Sequence, residues 1–288
     1  MESKGETHPG CKKAASAIFE DSIYLFGGED GDGNSTGALT ILTTEGDFQK
    51  VKPKWEAPWP RHEHRGWSYN GSLYFLGGRV KTTKEQIDQE GISANFEIRR
   101  PRKKGDPVTF YTNQLLQFDP VENVISHVVT SGSIPRPRSD FAIATLEKGQ
   151  RVIVHGGYCG EVLADLFELD TKTRIWTKLS FFEQSLSFHT LVPISAAEVL
   201  IYGGNPSEAN AISNELWIID LDQKQKKPNR IESRDKRFET PYAGMKGHRA
   251  VVQSKERGAF VFCLGGYADK GLGSHPDHML VFEVFHPN

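Results

Sequence analysis

Arg61, Arg65, Arg79, Arg136 and Arg138 fall at the edges of apolar runs, where a chain turns between elements. A guanidinium is a planar fork of N–H donors that meets a carboxylate or phosphate with two parallel hydrogen bonds. Several arginines converging on one surface therefore suit an acidic peptide segment or a terminal carboxylate. The same fork can brace a loop by bonding backbone carbonyls, and the sequence leaves both roles open for each arginine.

Other residue types point to less. His62 and His64 alternate in a segment that reads as extended, which would turn both rings one way. His275, Asp277 and His278 cluster further on. Neither group completes a ligand set of known spacing, so no metal is expected. His189 and His248 occupy equivalent places at strand starts and are expected to make structural hydrogen bonds. Asp30-Gly31-Asp32-Gly33-Asn34 has the composition of a calcium loop but lacks the glutamate an EF-hand needs downstream; it predicts a polar hairpin. Nucleophile elbows, phosphate-cradling glycine loops and paired catalytic carboxylates are missing, so no catalytic residues and no cofactor are expected. Arg99-Arg100-Pro101-Arg102-Lys103-Lys104 packs five positive charges into six residues. Such a run can draw an acidic partner, nucleic acid or an import receptor. With no aromatic inside the run, and only Phe96 before it, base stacking is unsupported and a mobile solvated loop is the expectation.

Bulk composition narrows the class. The 288 residues are 37% hydrophobic and 25% charged, with a net charge of −2. That balance argues for neither nucleic acid nor a membrane surface as partner. No apolar run approaches the roughly 20 residues of a membrane helix. The opening residues lack an apolar signal core. Cys11, Cys159 and Cys263 are odd in number and far apart, which suits a reducing cytoplasmic and/or nuclear compartment. Cys263 sits in an apolar strand and reads as a small core residue.

The elements that must position these side chains recur. Apolar runs end in a glycine pair at Gly27-Gly28, Gly77-Gly78, Gly156-Gly157, Gly203-Gly204 and Gly265-Gly266. A short apolar run closed by two glycines reads as a buried strand and a sharp turn, and its recurrence decides the fold. Ser139–Thr145, Arg151–His155, Asp165–Asp170 and Arg174–Leu179 form one full set of four strands. Equivalent third strands are Asn113–Asp119, Asn214–Asp220 and Met279–Phe285. Two insertions interrupt the rhythm, Arg79 to about Tyr111 and Gln223 to Met245. The charged stretch Lys224 to Arg237 predicts a flexible connecting loop.

The glycine pair, a third strand ending in Asp and a Trp shortly after it resemble the kelch motif. This implies an all-β fold, a kelch β-propeller with five recognisable four-stranded blades at about 10–53, 58–131, 134–182, 185–235 and 245–288, after a polar segment 1–9. The fifth blade lacks a fourth strand, so both five blades and five of an ancestral six stay open. Ser133–Arg138, Ser187–Leu191 and Met279–Phe282 resemble the kelch domain-containing protein 2 type of substrate receptors of cullin–RING ubiquitin ligases. That type implies six blades, a grip on the C-terminal end of a target protein and a helical ligase-binding box. The match keeps Ser187, but Tyr158 and Val162-Leu163 stand where the resemblance calls for an arginine pair, and no box follows before Asn288. Kelch enzymes such as copper oxidases need a Tyr, Cys and His constellation. His155, Tyr158 and Cys159 supply the types, but neighbours on a strand end point apart.

Antiparallel order puts the loops after second strands and the loops before first strands at one end of each repeat. Arg61, Arg65, Arg79, Arg136, Arg138, Tyr158, Ser187, Asn205 and Tyr267 gather there, with His62 and His64, as candidate protein- or peptide-binding residues. The expectation is a non-catalytic binding propeller, with a ligase receptor as its sharper form. A kelch enzyme with a central site and a truncated propeller without a ligand are the alternatives. The partner is a protein or peptide with an acidic or C-terminal carboxylate group; a membrane or nucleic acid is not expected.

Overall fold

The structure is a computed structural model that describes residues 11–54, 59–81, 88, 95–99, 109–179, 182–206, 212–222, 228–231, 244–255, 258–268 and 279–285. Arg100–Lys104, most of Lys224–Arg237, and His275–His278 lie outside them. The fold is all-β, as expected, and built from repeated antiparallel sheets. Two compact units divide the chain: Met1–Ser139 with Thr171–Trp176, and Asp140–Asp170 with Thr177–Asn288.

In the first unit, β1 (Ala15–Phe19), β2 (Ser22–Phe26), β3 (Leu39–Leu42) and β4 (Phe48–Val51) pair antiparallel in chain order. The second repeat opens with a short lead-in, β5 (Arg61–His62), before β6 (Arg65–Tyr69) and β7 (Ser72–Leu76). The insertion after Gly78 was expected as a loop, yet its described ends are strands: β8 (Arg79–Val80), β9 (Phe96–Arg99) and β10 (Thr109–Thr112). With β5 they form their own sheet, in the order β5-β8-β10-β9. β11 (Leu115–Asp119) and β12 (Val124–Val128) complete the sheet of β6 and β7. β13 (Ser131–Gly132) then runs parallel to Ile175–Trp176. Gly132 permits this approach: its φ is +83°, and a Cβ there would stand 2.3 Å from the Trp176 carbonyl oxygen.

In the second unit, β14 (Ala142–Leu146), β15 (Arg151–His155) and β16 (Leu166–Asp170) pair antiparallel, and β17 (Ile175–Leu179) completes their sheet. β18 (Thr190–Pro193), β19 (Glu198–Tyr202), β20 (Leu216–Asp220) and β21 (Asn229–Ile231) form the next. The described part of Lys224–Arg237 is thus a strand, because Asn229–Ile231 finds the free edge of β20. β22 (Met245–Lys246) is a lead-in paired with β25 (Tyr267–Ala268). β23 (Arg249–Lys255), β24 (Gly258–Leu264) and β26 (Met279–Phe285) form a three-stranded sheet, with no fourth strand among the described residues.

Packing follows the period of two in each second strand. Tyr24 and Phe26, three and one residues before the glycine pair, join Leu73, Phe75, Leu116 and Phe118 of the next repeat in one core. Ile153 meets Val199 and Ile201 in the second unit, and Leu200 and Tyr202 meet Val261 and Cys263. Residues one and three before the pair therefore face the following repeat, and residues two and four before it face the preceding one. This two-sided burial is why these strands are apolar at every position rather than alternating. Cys263 is a core residue as expected, and burial pushes its thiol up to about 12.

The glycine pair closes each junction. Gly28 donates its N–H to the Arg61 carbonyl at 2.8 Å and Gly78 to that of Arg138 at 2.9 Å. Gly157 donates to Leu186 at 2.8 Å and Gly204 to Met245 at 2.7 Å. Before each first strand one residue turns left-handed: Lys13, Glu63, Asp140, Phe188 and Gly247 have φ between 57° and 72°. Within a unit these turns are tied together, Glu63 N–H to Lys13 O at 2.9 Å, Phe188 to Asp140 at 2.9 Å and Gly247 to Phe188 at 2.8 Å.

Candidate functional site

Four of the five repeats end in a small ladder that joins the lead-in to the residue following the glycine pair, while Tyr158 of the third bridges to Val162. Lys12 pairs with Glu29, His62 with Arg79, Ser187 with Asn205 and Lys246 with Tyr267. Antiparallel partners project side by side from one face of a ladder. The loop end of a repeat therefore presents a matched pair of side chains whose chemistry differs from repeat to repeat.

In the first unit this end is a dense ionic cluster. Lys13 Nζ lies 2.8 Å from Glu63 Oε1 and 3.1 Å from Glu29 Oε2. Arg79 Nε stands 2.9 Å from Glu63 Oε2, but its N–H is directed at Ser139 Oγ, 3.1 Å away. Glu63 Oε2 is thus neutralised without a directed hydrogen bond. His62 Nε2 approaches Glu29 Oε1 at 3.3 Å while Nδ1 lies 2.8 Å from Ser35 Oγ. Burial works to raise the Glu63 carboxyl, but Arg79, Lys13 and His62 outweigh it and hold it below its ordinary range. Burial lowers His62 more than Glu63 and Glu29 can restore. Lys13 is raised, since its two carboxylates exceed the burial that opposes them.

The candidate arginines part company here. Arg61 is fully buried, with Nη2 on Gln114 Oε1 at 3.0 Å and Nε on the Trp59 carbonyl at 3.5 Å. Burial lowers its guanidinium to about 9. Arg138 is buried too and donates Nε to the Arg136 carbonyl at 3.1 Å. Arg65 donates to the His64 carbonyl at 3.0 Å. These three serve as loop braces, and Arg61 and Arg138 have no surface to offer a partner. Arg79 faces Glu63, with its guanidinium 5.8 Å from the centre of the Tyr111 ring. Arg136 is the accessible one: its side chain is 42% exposed and pairs with Glu97 at 2.8 Å.

His62 and His64 do not share a direction, because Glu63 between them turns left-handed at φ 59°. His64 is buried edge-on against Phe26, with ring centres 5.2 Å apart. In the second unit His189 Nε2 lies 2.9 Å from His155 Nδ1, the structural hydrogen bond expected of it. His248 differs: its buried ring nitrogens have no hydrogen-bond partner among the described residues, and it packs on Tyr202 at 5.3 Å. Ser187 is buried, its Oγ 3.4 Å from the Asn205 carbonyl. Tyr158 and Asn205 are half-buried, and Tyr267 is 66% exposed. Asp30 forms the expected polar hairpin, its Oδ1 accepting from the Asp32 and Asn34 N–H groups at 3.0 and 2.8 Å. No group of three His, Cys, Asp or Glu able to hold a metal occurs among the described residues.

Sequence reasoning missed Glu63 and Glu97, which pair with Arg79 and Arg136, and Lys13 and Glu29, which complete the ionic cluster. Aligning the lead-ins on the glycine pairs would have placed Lys12-Lys13 opposite His62-Glu63 and exposed the shared position.

A profile of the KLHDC2/KLHL20/DRC7 Kelch-repeats domain matches residues 1–190. Kelch domain-containing protein 2 of Bos taurus is 22% identical over 241 residues, covering 78% of this chain and 56% of that protein. Host cell factor 2 of Homo sapiens is 30% identical over 184 residues, 61% of this chain and 22% of that protein. Beta-scruin of Limulus polyphemus is 28% identical over 216 residues, 70% of this chain and 20% of that protein. The chain thus spans little more than half the length of the first of these curated relatives and about a fifth of the other two.

Proposed function

The chain belongs to the KLHDC2/KLHL20/DRC7 Kelch-repeats family, and from that premise we propose that it is a non-catalytic propeller that binds a protein or peptide at the loop ends of its repeats. One observation carries the reading: in four repeats the residue after the glycine pair is held by a short ladder to the lead-in yet varies in chemistry, as Arg79, Asn205 and Tyr267 do. A rigid backbone bearing interchangeable side chains is how repeat folds build recognition surfaces. Tyr158, Asn205 and Tyr267 supply aromatic and amide contacts, and Arg136 supplies charge. The Arg136–Glu97 pair lies near the surface, where such pairs are worth about 0–1 kcal/mol. A ligand carboxylate can therefore replace Glu97 at little cost. The sharper reading, substrate recognition for a ubiquitin ligase in the cytoplasm or nucleus, rests on the resemblance and on the reduced thiols alone.

The test is a peptide array in which each sequence is presented with a free and an amidated C-terminus. Selective binding of free, acidic termini is expected. Arg136→Ala should weaken it about tenfold, or roughly 1.4 kcal/mol, with an unchanged melting curve. Binding that ignores both the terminus and Arg136 would remove the carboxylate from the proposal. Binding by no peptide would remove the recognition role.

A further inference from the structure

Glu97 is brought to Arg136 by the inserted sheet of the second repeat. Register places His62, Arg79, Tyr111 and Glu97 in one row across β5, β8, β10 and β9. Side chains of one row leave the same face of a sheet. The sheet that carries Glu97 is therefore the one anchored in the ionic cluster through His62 and Arg79. A second tether runs beside the ion pair. Asn95 donates its side-chain amide to Asn113 Oδ1 at 2.8 Å, and Asn113 donates its own to the Pro135 carbonyl at 2.7 Å. The Arg136 carbonyl in turn accepts from Nε of buried Arg138 at 3.1 Å. The backbone of Arg136 is thus held on both sides, and its side chain, 42% exposed, can change partners with the loop unmoved.

Arg136 Nη2 donates to Glu97 Oε1 at 2.8 Å. A ligand carboxylate would take that same donor, so Glu97 competes with the ligand from within the chain. Such competition lowers apparent affinity by the fraction of molecules in which Arg136 is released. For a pair this close to the surface that fraction is about one half to one sixth. A lone carboxylate exchanges with Glu97 and gains nothing. A peptide gains when further acidic groups accompany the carboxylate that displaces Glu97.

We propose that Glu97 is a tethered stand-in for the ligand's carboxylate and sets the affinity threshold that an acidic peptide must exceed to bind at Arg136. This rests on the reading of Arg136 as a carboxylate-binding residue.

Phenylglyoxal, which modifies accessible guanidinium groups, reads the state of Arg136 in the full chain by mass spectrometry. Arg174, exposed in the same unit, is the reference. Glu97→Gln should speed labelling of Arg136 about two- to sixfold and leave Arg174 unchanged. Glu97→Ala should do at least as much, because Gln keeps an amide oxygen for Arg136. Tetra-aspartate with a free C-terminus should protect Arg136 in every protein, at a concentration about two- to sixfold lower in the Glu97 variants. Glu122→Gln removes the same charge from an exposed turn of the same unit and should alter neither result. Equal Arg136 rates with and without the Glu97 carboxylate overturn the inference and leave the carboxylate reading standing. So does an equal response to Glu122→Gln, or protection at one concentration throughout. Faster labelling of the variants with no protection by tetra-aspartate in any protein overturns the carboxylate reading itself, and the inference falls with it.

Discussion

Glu63 shows how a single residue can serve three demands at this loop end. Its backbone adopts the left-handed turn, its N–H ties back to Lys13, and its carboxylate is shared between Lys13 and Arg79. Removing one member of a buried ionic group leaves the others uncompensated, at a cost of about 3–5 kcal/mol for a fully buried pair. Because Lys13 reaches water, Glu63→Gln should fall below that, roughly 2 kcal/mol, read by denaturant unfolding. A Glu63→Asp variant, which keeps the charge and tolerates the turn, should recover part of the loss. The residue scale is also where sequence reading falls short. Arginine's two roles, clamp and brace, use identical donors, so the residue type could not separate exposed Arg136 from buried Arg61 and Arg138. Only the positions of Gln114, Glu97 and the loop carbonyls decide between them.

Elements were legible wherever two-sided burial wrote a continuous apolar run. Arg151–His155 and Met279–Phe285 occur with the bounds their sequence predicts. The third strands begin a residue or two later than expected, at Leu115, Leu166 and Leu216, where pairing starts. The lead-ins and the sheet of β5, β8, β9 and β10 were not legible, since two-residue strands carry no periodicity. The glycines fare better, because their role is local. Gly203 has φ +68°, and a Cβ on it would stand 2.3 Å from the Met245 carbonyl oxygen. Gly203→Ala therefore combines a strained backbone with a backbone clash and should destabilise by roughly 2–3 kcal/mol. Hydrogen exchange is the sensitive measure: protection should fall first at Gly204 N–H, which bonds the same carbonyl.

For the whole molecule, each unit buries a histidine that resists protonation. Burial, with Arg61 and Arg65 nearby, holds His64 well below 6.5; burial, with Arg249, holds His248 at about 4. The unfolded chain binds these protons near 6.5 and the folded chain does not. Stability is therefore complete above that value and declines as pH falls toward 4. His248 alone accounts for a loss on the order of 3 kcal/mol. Melting temperature should drop across this window, and His248→Phe should flatten the drop while preserving the contact with Tyr202. A slope unchanged in that variant would assign the acid sensitivity elsewhere. At this scale the fold class could be read from the five glycine pairs, whereas the exposure of Ile23 and Leu264 could not: they are as apolar as Leu73 and Leu76, which hold the same places in the second repeat and are buried.

The bonds of the glycine pairs run forward along the chain, from Gly28 to Arg61 and from Gly204 to Met245, while the bonds of the left-handed turns run back, from Glu63 to Lys13 and from Gly247 to Phe188. Within each unit the junctions are thus locked from both sides by the next stretch of chain. During synthesis a repeat leaving the ribosome remains unlatched until the lead-in of its successor follows it out. Consolidation then proceeds in the order of translation, one latch at a time, and a pause in elongation leaves a single junction waiting rather than the whole chain unfolded.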